Sequence, residues 1–176
     1  MKAVAHTARD IASLVDIELP KPTPGPRDLL VKVAAVSVNP VDTKQRKTDT
    51  STPRVLGWDA AGTVAAVGAQ VTLFKPGDAV YYAGDVTRPG CNSEFHLVDE
   101  RIVGRKPRSL DFAHTAAIPL TAITAWEALF DRMKIARASG ATVLIINGAG
   151  GVGSIGIQIA KLTGLKVIAT ASRPET

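Results

Sequence analysis

The sequence predicts a β plus α/β protein: a barrel-like β domain over 1–118, then the opening βαβ unit of an α/β domain over 119–176. Three observations carry this. Short apolar stretches separated by Gly and Pro turns fill the first two thirds. The chain turns Ala- and Leu-rich after Ser109. A glycine run then joins an apolar strand pattern to a helical one in LIINGAGGVGSIGIQIAK, Leu144 to Lys161.

The 176 residues suffice for one ordinary domain or two small ones. With 45% hydrophobic and 21% charged residues, whole-chain disorder is excluded. One cysteine, Cys91, rules out an internal disulfide and suggests a reducing compartment. No run is long and apolar enough for a signal core or a membrane span, so the expected location is the cytoplasm, with no membrane partner. The net charge is +5, but the basic residues are scattered. Their densest group, Thr43 to Arg54, lacks interleaved aromatics and reads as a solvated loop rather than a nucleic-acid patch.

Taken in order, KAVAH and SLVDIELP alternate or run apolar between turns, as strands do. PKPTPGPRD forbids regular structure and introduces the strand DLLVKVAAVSV. In GWDAAGTVAAVG, small residues mark a strand that bends or packs against another backbone. Pro76-Gly77-Asp78 is a turn before AVYY. SEFHLVDERIVGRKP adds two short strands. Many short strands at close spacing imply a compact β barrel. Ser109 is then expected to cap a short helix through Asp111 to Ala117. Pro119 starts a second, ending near Arg132, with Trp126, Leu129 and Phe130 on one face. TVLIIN is apolar on both faces, as a buried parallel strand is. GSIGIQIAKLTG has helical periodicity through Ile155, Ile159 and Leu162, stopped by Gly164. KVIATAS is a second buried strand.

Gly148, Gly150 and Gly153 form G-x-G-x-x-G between that strand and helix. The first allows a tight turn, the second lets a pyrophosphate approach the backbone, and the third lets helix and strand pack closely. The helix N-terminus favours the phosphate charge. The strand–turn–helix–strand context is what makes this motif specific for a dinucleotide. An NAD site commonly has an acid at the tip of the second strand. Here Ala171 lies 23 positions beyond Gly148 and is followed by Ser172-Arg173, with Glu175 beyond the contact point. Arg173 can neutralise a 2′-phosphate and Ser172 can donate to it, so the expected cofactor is NADPH.

These stretches resemble the quinone oxidoreductase (zeta-crystallin-like) branch of the medium-chain dehydrogenase/reductases. The match rests on Gly148-Ala149, Gly150-Gly151-Val152-Gly153, Gln158 and Lys161, with Ala141 departing from the usual polar residue. It extends to ELPKPTPGPRDLLVKVAAVSVNPVDTKQR, GWDAAGTVAAVGAQVTLFKPGDAVYY and AAIPLTAITAWEALF. GWDAAG and LVDERIVGRKP are similar to a subgroup named for zinc-type alcohol dehydrogenases. The resemblance implies a GroES-like β-barrel domain followed by a Rossmann domain.

Zinc-dependent members hold catalytic zinc through a Cys and a His. Asn39 stands where the Cys would be and Trp58 where the His would be, and one cysteine cannot build a four-cysteine lobe. His6, His96 and His114 have no ligand spacing and read as ordinary surface or half-buried residues. The metal expectation is therefore none. Without a Lewis acid, hydride donation to an already electrophilic acceptor is the easier task, which points to a small-molecule quinone or α,β-unsaturated carbonyl. By resemblance, Asn39 lies near nicotinamide or substrate, with Asp42 and Thr43 beside it. Thr124 contacts the cofactor and Tyr82 lines the cleft. Asn39 also reads as a turn residue before Pro40, and Asp42 as a cap or loop ion pair.

A doubly wound domain has about six parallel strands, and this sequence supplies two. The reading is an N-terminal part of an oxidoreductase whose cofactor domain stops after its second strand. Such a chain is expected to self-associate, to take a partner, or to be poorly ordered in its last third. Proteolysis is expected after about Ile118. A homo-oligomer is compatible with the resemblance. Two other readings stay open: a non-catalytic GroES-like module with a vestigial nucleotide turn, and, less favoured, a zinc alcohol dehydrogenase.

Overall fold

One strand, Asp28–Ser37, is bonded along both edges, and this builds the larger sheet among the described residues. The computed structural model describes residues 1–7, 14–47 and 53–173. The chain divides into two compact units, Met1–Pro119 and Leu120–Thr176.

In the first unit β1 (Lys2–His6) pairs antiparallel with β2 (Leu14–Glu18) and with the short β4 (Arg54–Val55). The second sheet has the order β7 (Phe95–Asp99), β3 (Asp28–Ser37), β5 (Asp59–Val67), β6 (Ala79–Ala83) and β8 (Gly104–Arg105). All its pairings are antiparallel, with bulges in the β3–β5 register at Leu30/Val31 and Val33/Ala35. Gly62 sits where the backbones close in: a Cβ there would lie 2.3 Å from the Lys32 carbonyl oxygen. The small residue is required by that approach.

The core of this sheet comprises Leu29, Val31, Ala60, Val64, Val80, Tyr82, Cys91 and Val98. Glu100 is 1% exposed and ties a loop to it. Its carboxylate accepts from the amides of Thr72 and Leu73 and from the Arg27 guanidinium. Arg88 clamps Asp28 with two bonds of 2.9 and 3.0 Å, the fork geometry that favours arginine over lysine.

Three elements were not anticipated from the sequence: β4; α1 (Pro40–Gln45), which occupies the start of the stretch read as a basic loop; and a 3₁₀ turn over Glu100–Ile102, in the stretch read as two strands. Residues 48–52 of that stretch lie outside the described residues, as do Ser13 and Glu175. Helix α2 (Phe112–Ala116) is capped by Asp111, not Ser109: the Asp111 carboxylate accepts the His114 amide at 2.7 Å. Ser109 is too far upstream to reach those first amides. The α2 helix packs on β3 and β5.

In the second unit α3 (Pro119–Trp126) runs on as a π-helical turn over Glu127–Arg132, where the Met133 amide bonds back to Ala128. Strands β9 (Thr142–Ile145) and β10 (Lys166–Ala169) are parallel, joined by α4 (Gly151–Leu162). Leu129, Val143, Ala160 and Leu165 form the core. The buried stripe of α4 runs through Gly156 and Ala160; Ile155 and Ile159 are half-buried, Ile159 against the core, and only Leu162, 86% exposed, leaves the expected face. Gly156 faces Ala125 and Ile145 at ordinary contact distance, where a Cβ would sit 3.7 Å from both.

Candidate functional site

Asn39 brings two carboxylates of the first unit together. It lies two residues beyond the end of β3, and the β3–β5 register sets Ser37 opposite Asp59. The chain therefore carries Asn39 over the Asp59 side chain. Asn39 Nδ2 donates to Asp59 Oδ2 at 2.9 Å, and the Asn39 amide donates to Asp42 Oδ2 at 2.7 Å. Asn39 is the N-cap of α1, Pro40 opens the helix and Asp42 is at N3. This combination is a helix-start signal in its own right. Both earlier readings of Asn39 and Asp42 thus meet in one device: Asn39 precedes Pro40 as a cap, and Asp42 closes it.

Asn39, Asp42 and Asp59 are 9%, 8% and 0% exposed. Asp42 Oδ1 is buried and has no hydrogen-bond partner. Thr43 is exposed, and its hydroxyl donates to the Pro40 carbonyl at 2.9 Å. The Cys91 thiol donates to the Asp59 carbonyl at 3.4 Å. Burial, then the Asp42 charge, pushes that thiol up to about 12.

Tyr82 is 2% exposed and stands in the core rather than on an open wall. It alternates inward on β6, and its hydroxyl meets His96 Nδ1 at 3.0 Å. His96 is also buried, as is His6, so two of the three histidines are not surface residues. Trp58 is 2% exposed and donates its indole N–H to the Asp85 carbonyl at 3.2 Å.

Among the described residues, no group of three or more His, Cys, Asp or Glu could hold a metal. The donors present do not suit zinc. Asn39 already gives its amide hydrogen to a carboxylate, and an indole offers no ligand lone pair.

In the second unit the glycine turn is built differently from its motif reading. The left-handed residue is Asn147, at φ 59°, and Gly148 is not left-handed. Asparagine tolerates that region through its short polar side chain. Gly148 is needed for room instead: a Cβ there would lie 2.8 Å from the Ala169 Cβ. A Cβ on Gly150 would lie 2.8 Å from Asn147 Nδ2, and one on Gly153 only 2.3 Å from the Asn147 carbonyl. Gly148 donates to Thr170 O at 2.7 Å and Asn147 to Thr170 Oγ1 at 3.1 Å, locking the turn to the end of β10.

Ser154 is the first residue of α4 to bond back, to Gly150 O at 2.8 Å. The amides of Gly151, Val152 and Gly153 precede that bond and have no carbonyl within the helix to meet. Ala149 is exposed on the turn. Strand β10 ends at Ala169, three residues before the expected Ser172, and Ser172 and Arg173 are exposed beyond it. The Thr124 hydroxyl donates to Leu120 O at 2.7 Å within α3.

An antiparallel β unit followed by a strand, a glycine turn, a helix and a parallel strand is the order of a GroES-like domain followed by the opening of a Rossmann domain. The chain belongs to the medium-chain dehydrogenase/reductase superfamily, and residues 25–108 match its alcohol dehydrogenase GroES-like domain. It is 57% identical over 161 residues to a zinc-type alcohol dehydrogenase-like protein of Staphylococcus aureus, covering 89% of this chain and 48% of that protein. It is 39% identical over 189 residues to a 2-methylene-furan-3-one reductase of Solanum lycopersicum, covering 98% of this chain and 47% of that one. The chain thus spans about half the length of the curated relatives it matches.

Among solved structures, it is similar to a protein of Rhizobium etli described as a zinc-dependent alcohol dehydrogenase. That match has a TM-score of 0.90 and 60% identity and covers 99% of this chain and 54% of that one. The Escherichia coli quinone oxidoreductase complexed with NADPH matches with a TM-score of 0.80 and 29% identity, covering 99% and 54%. No helix of the described residues is long and apolar enough to cross a membrane.

Proposed function

We propose that this chain is part of an NADPH-dependent, zinc-free oxidoreductase that delivers hydride to a quinone or an α,β-unsaturated carbonyl. The observation that carries the reading is the turn at the head of α4. Three glycines leave backbone where a Cβ would collide, and the amides of Gly151, Val152 and Gly153 open the helix there. A pyrophosphate suits that arrangement by charge and by shape.

In this reading Leu120 onward is the cofactor unit. Gly148, Ala149, Gly150, Gly151, Val152 and Gly153 hold the pyrophosphate. Ser172 and Arg173 take the 2′-phosphate, and Thr124 contacts the cofactor. The bound cofactor supplies the hydride. The Met1–Pro119 unit is the substrate unit, where Asn39 offers a hydrogen bond to the substrate carbonyl. Asp42 fixes the Asn39 main chain and Thr43 covers the helix start. Tyr82 supports this unit through packing, since it is buried. The names of the furanone reductase and of the quinone oxidoreductase bound to NADPH support this substrate class and cofactor. The zinc in other relatives' names finds no suitable donors here.

Calorimetric titration with NADPH, with NADH as control, tests the reading, followed by turnover of 1,4-naphthoquinone and methyl vinyl ketone. Saturable binding that prefers NADPH, with turnover after exhaustive chelation, is expected. Failure to bind either cofactor would overturn it in favour of a binding module.

A further inference from the structure

We infer that Asp59 is a positioning residue that fixes which end of the Asn39 amide faces a ligand. The inference rests on the reading of Asn39 as the group that meets the substrate carbonyl.

A primary amide carries one acceptor end and one donor end and can turn either way. A carboxylate oxygen accepts from an amide N–H. The 2.9 Å contact from Asn39 Nδ2 to Asp59 Oδ2 therefore places the NH2 group toward Asp59 and Oδ1 away from it. One amide hydrogen is engaged; the other remains to be offered. The second hold acts on the main chain, where Asp42 Oδ2 takes the Asn39 amide at 2.7 Å. Asn39 is gripped by two carboxylates, three and twenty positions along the chain.

Asp59 is a rigid holder. It is 0% exposed and opens β5, whose register sets it opposite Ser37 on one side and Ala83 on the other. Its carbonyl also accepts the Cys91 thiol. A buried carboxylate in a small-residue strand costs desolvation and is retained only where it is bonded. Here a bond falls on the residue assigned to the reaction. Geometry held this way governs rate, since a displacement of about 1 Å costs on the order of a hundredfold.

The test is a set of variants read by kcat, by NADPH binding and by the Asn39 side-chain amide resonance in ¹⁵N–¹H spectra. Asp59→Ala is expected to lower kcat at least about tenfold with NADPH affinity unchanged, and to lower it no further in an Asn39→Ala background. Asp59→Asn keeps an acceptor. It is expected to hold kcat within about threefold while the Asn39 amide proton moves upfield, as the carboxyl acceptor is replaced by a weaker amide oxygen.

Independent, multiplying effects of Asp59→Ala and Asn39→Ala would overturn the proposal. So would an unchanged kcat in Asp59→Ala alongside an impaired Asn39→Ala. Should Asp59→Ala not fold, an unmoved Asn39 resonance in Asp59→Asn overturns it alone. Wild-type kcat in Asn39→Ala would instead sink the reading of Asn39 at the reaction, whatever the resonance reports.

Discussion

The Tyr82 hydroxyl and His96 Nδ1 lie 3.0 Å apart inside the β unit, with their rings stacked at 5.5 Å. On its other side His96 Nε2 is 3.0 Å from the Pro89 carbonyl. A carbonyl can only accept, so Nε2 carries the proton, Nδ1 accepts, and Tyr82 donates. That arrangement requires the neutral imidazole, because a proton on Nδ1 would leave the Tyr82 hydroxyl hydrogen without this acceptor.

Stability should therefore depend on His96 in mild acid. Burial first of all lowers its pKa from 6.5 to about 4, against the raising effect of the Pro89 bond. The unfolded chain takes up a proton that the folded chain refuses. The contribution is complete above pH 6.5 and is lost as pH falls toward 4, about 3 kcal/mol in all. Asp78, Asp85, Asp99 and Asp111 are held below their usual range by hydrogen bonds, so their losses come at lower pH. Urea melts between pH 7 and 4 should show the slope, and His96→Gln should flatten it.

Cys91 should be nearly inert in the folded protein. It is 0% exposed, and its thiol is pushed up to about 12, first by burial. Only the thiolate reacts. Iodoacetamide labelling followed by mass spectrometry should be about a thousandfold slower in native buffer than in urea. Native and unfolded rates within tenfold of each other would contradict this.

Gly153 and Gly77 should fail differently when replaced by Ala. At Gly153 the new Cβ meets backbone, 2.3 Å from Asn147 O and 2.8 Å from Gly148 Cα. The turn must shift, at about 1–3 kcal/mol and with weaker NADPH binding. At Gly77 nothing lies within 4 Å, but φ is 92°. Gly77→Ala should cost about 1–2 kcal/mol in backbone strain and leave NADPH binding unchanged. Thermal melts and calorimetry separate the two.

Arg173→Glu should reverse or abolish the preference for NADPH over NADH while sparing NADH binding. The charge it removes is the one assigned to the 2′-phosphate. An unchanged ratio of the two dissociation constants would place the phosphate contact elsewhere.

Several of these features could be read before any coordinates. The turn before β6, the βαβ order around Gly148 to Gly153, and the stop at Gly164, whose φ is 81°, are all local patterns. Helix α1 was also readable: Asn39, Pro40 and Asp42 stand at cap, N1 and N3, but the neighbouring basic residues drew attention to a loop. Asp59 carried a fainter sign, an acid among small apolar residues in WDAAG.

The sequence by itself determined the β plus α/β order and the glycine turn between strand and helix. Each depends on residue type and short-range spacing, which local backbone physics reads directly. Only the tertiary structure decided that Asn39 meets Asp59, that Tyr82 and His96 satisfy each other in the core, and that Asn147 rather than Gly148 takes the left-handed turn. Those outcomes depend on strand register and on which backbones come close. One residue of slip in β3 against β5 would send the Asp59 side chain to the opposite face, and no local pattern encodes that pairing.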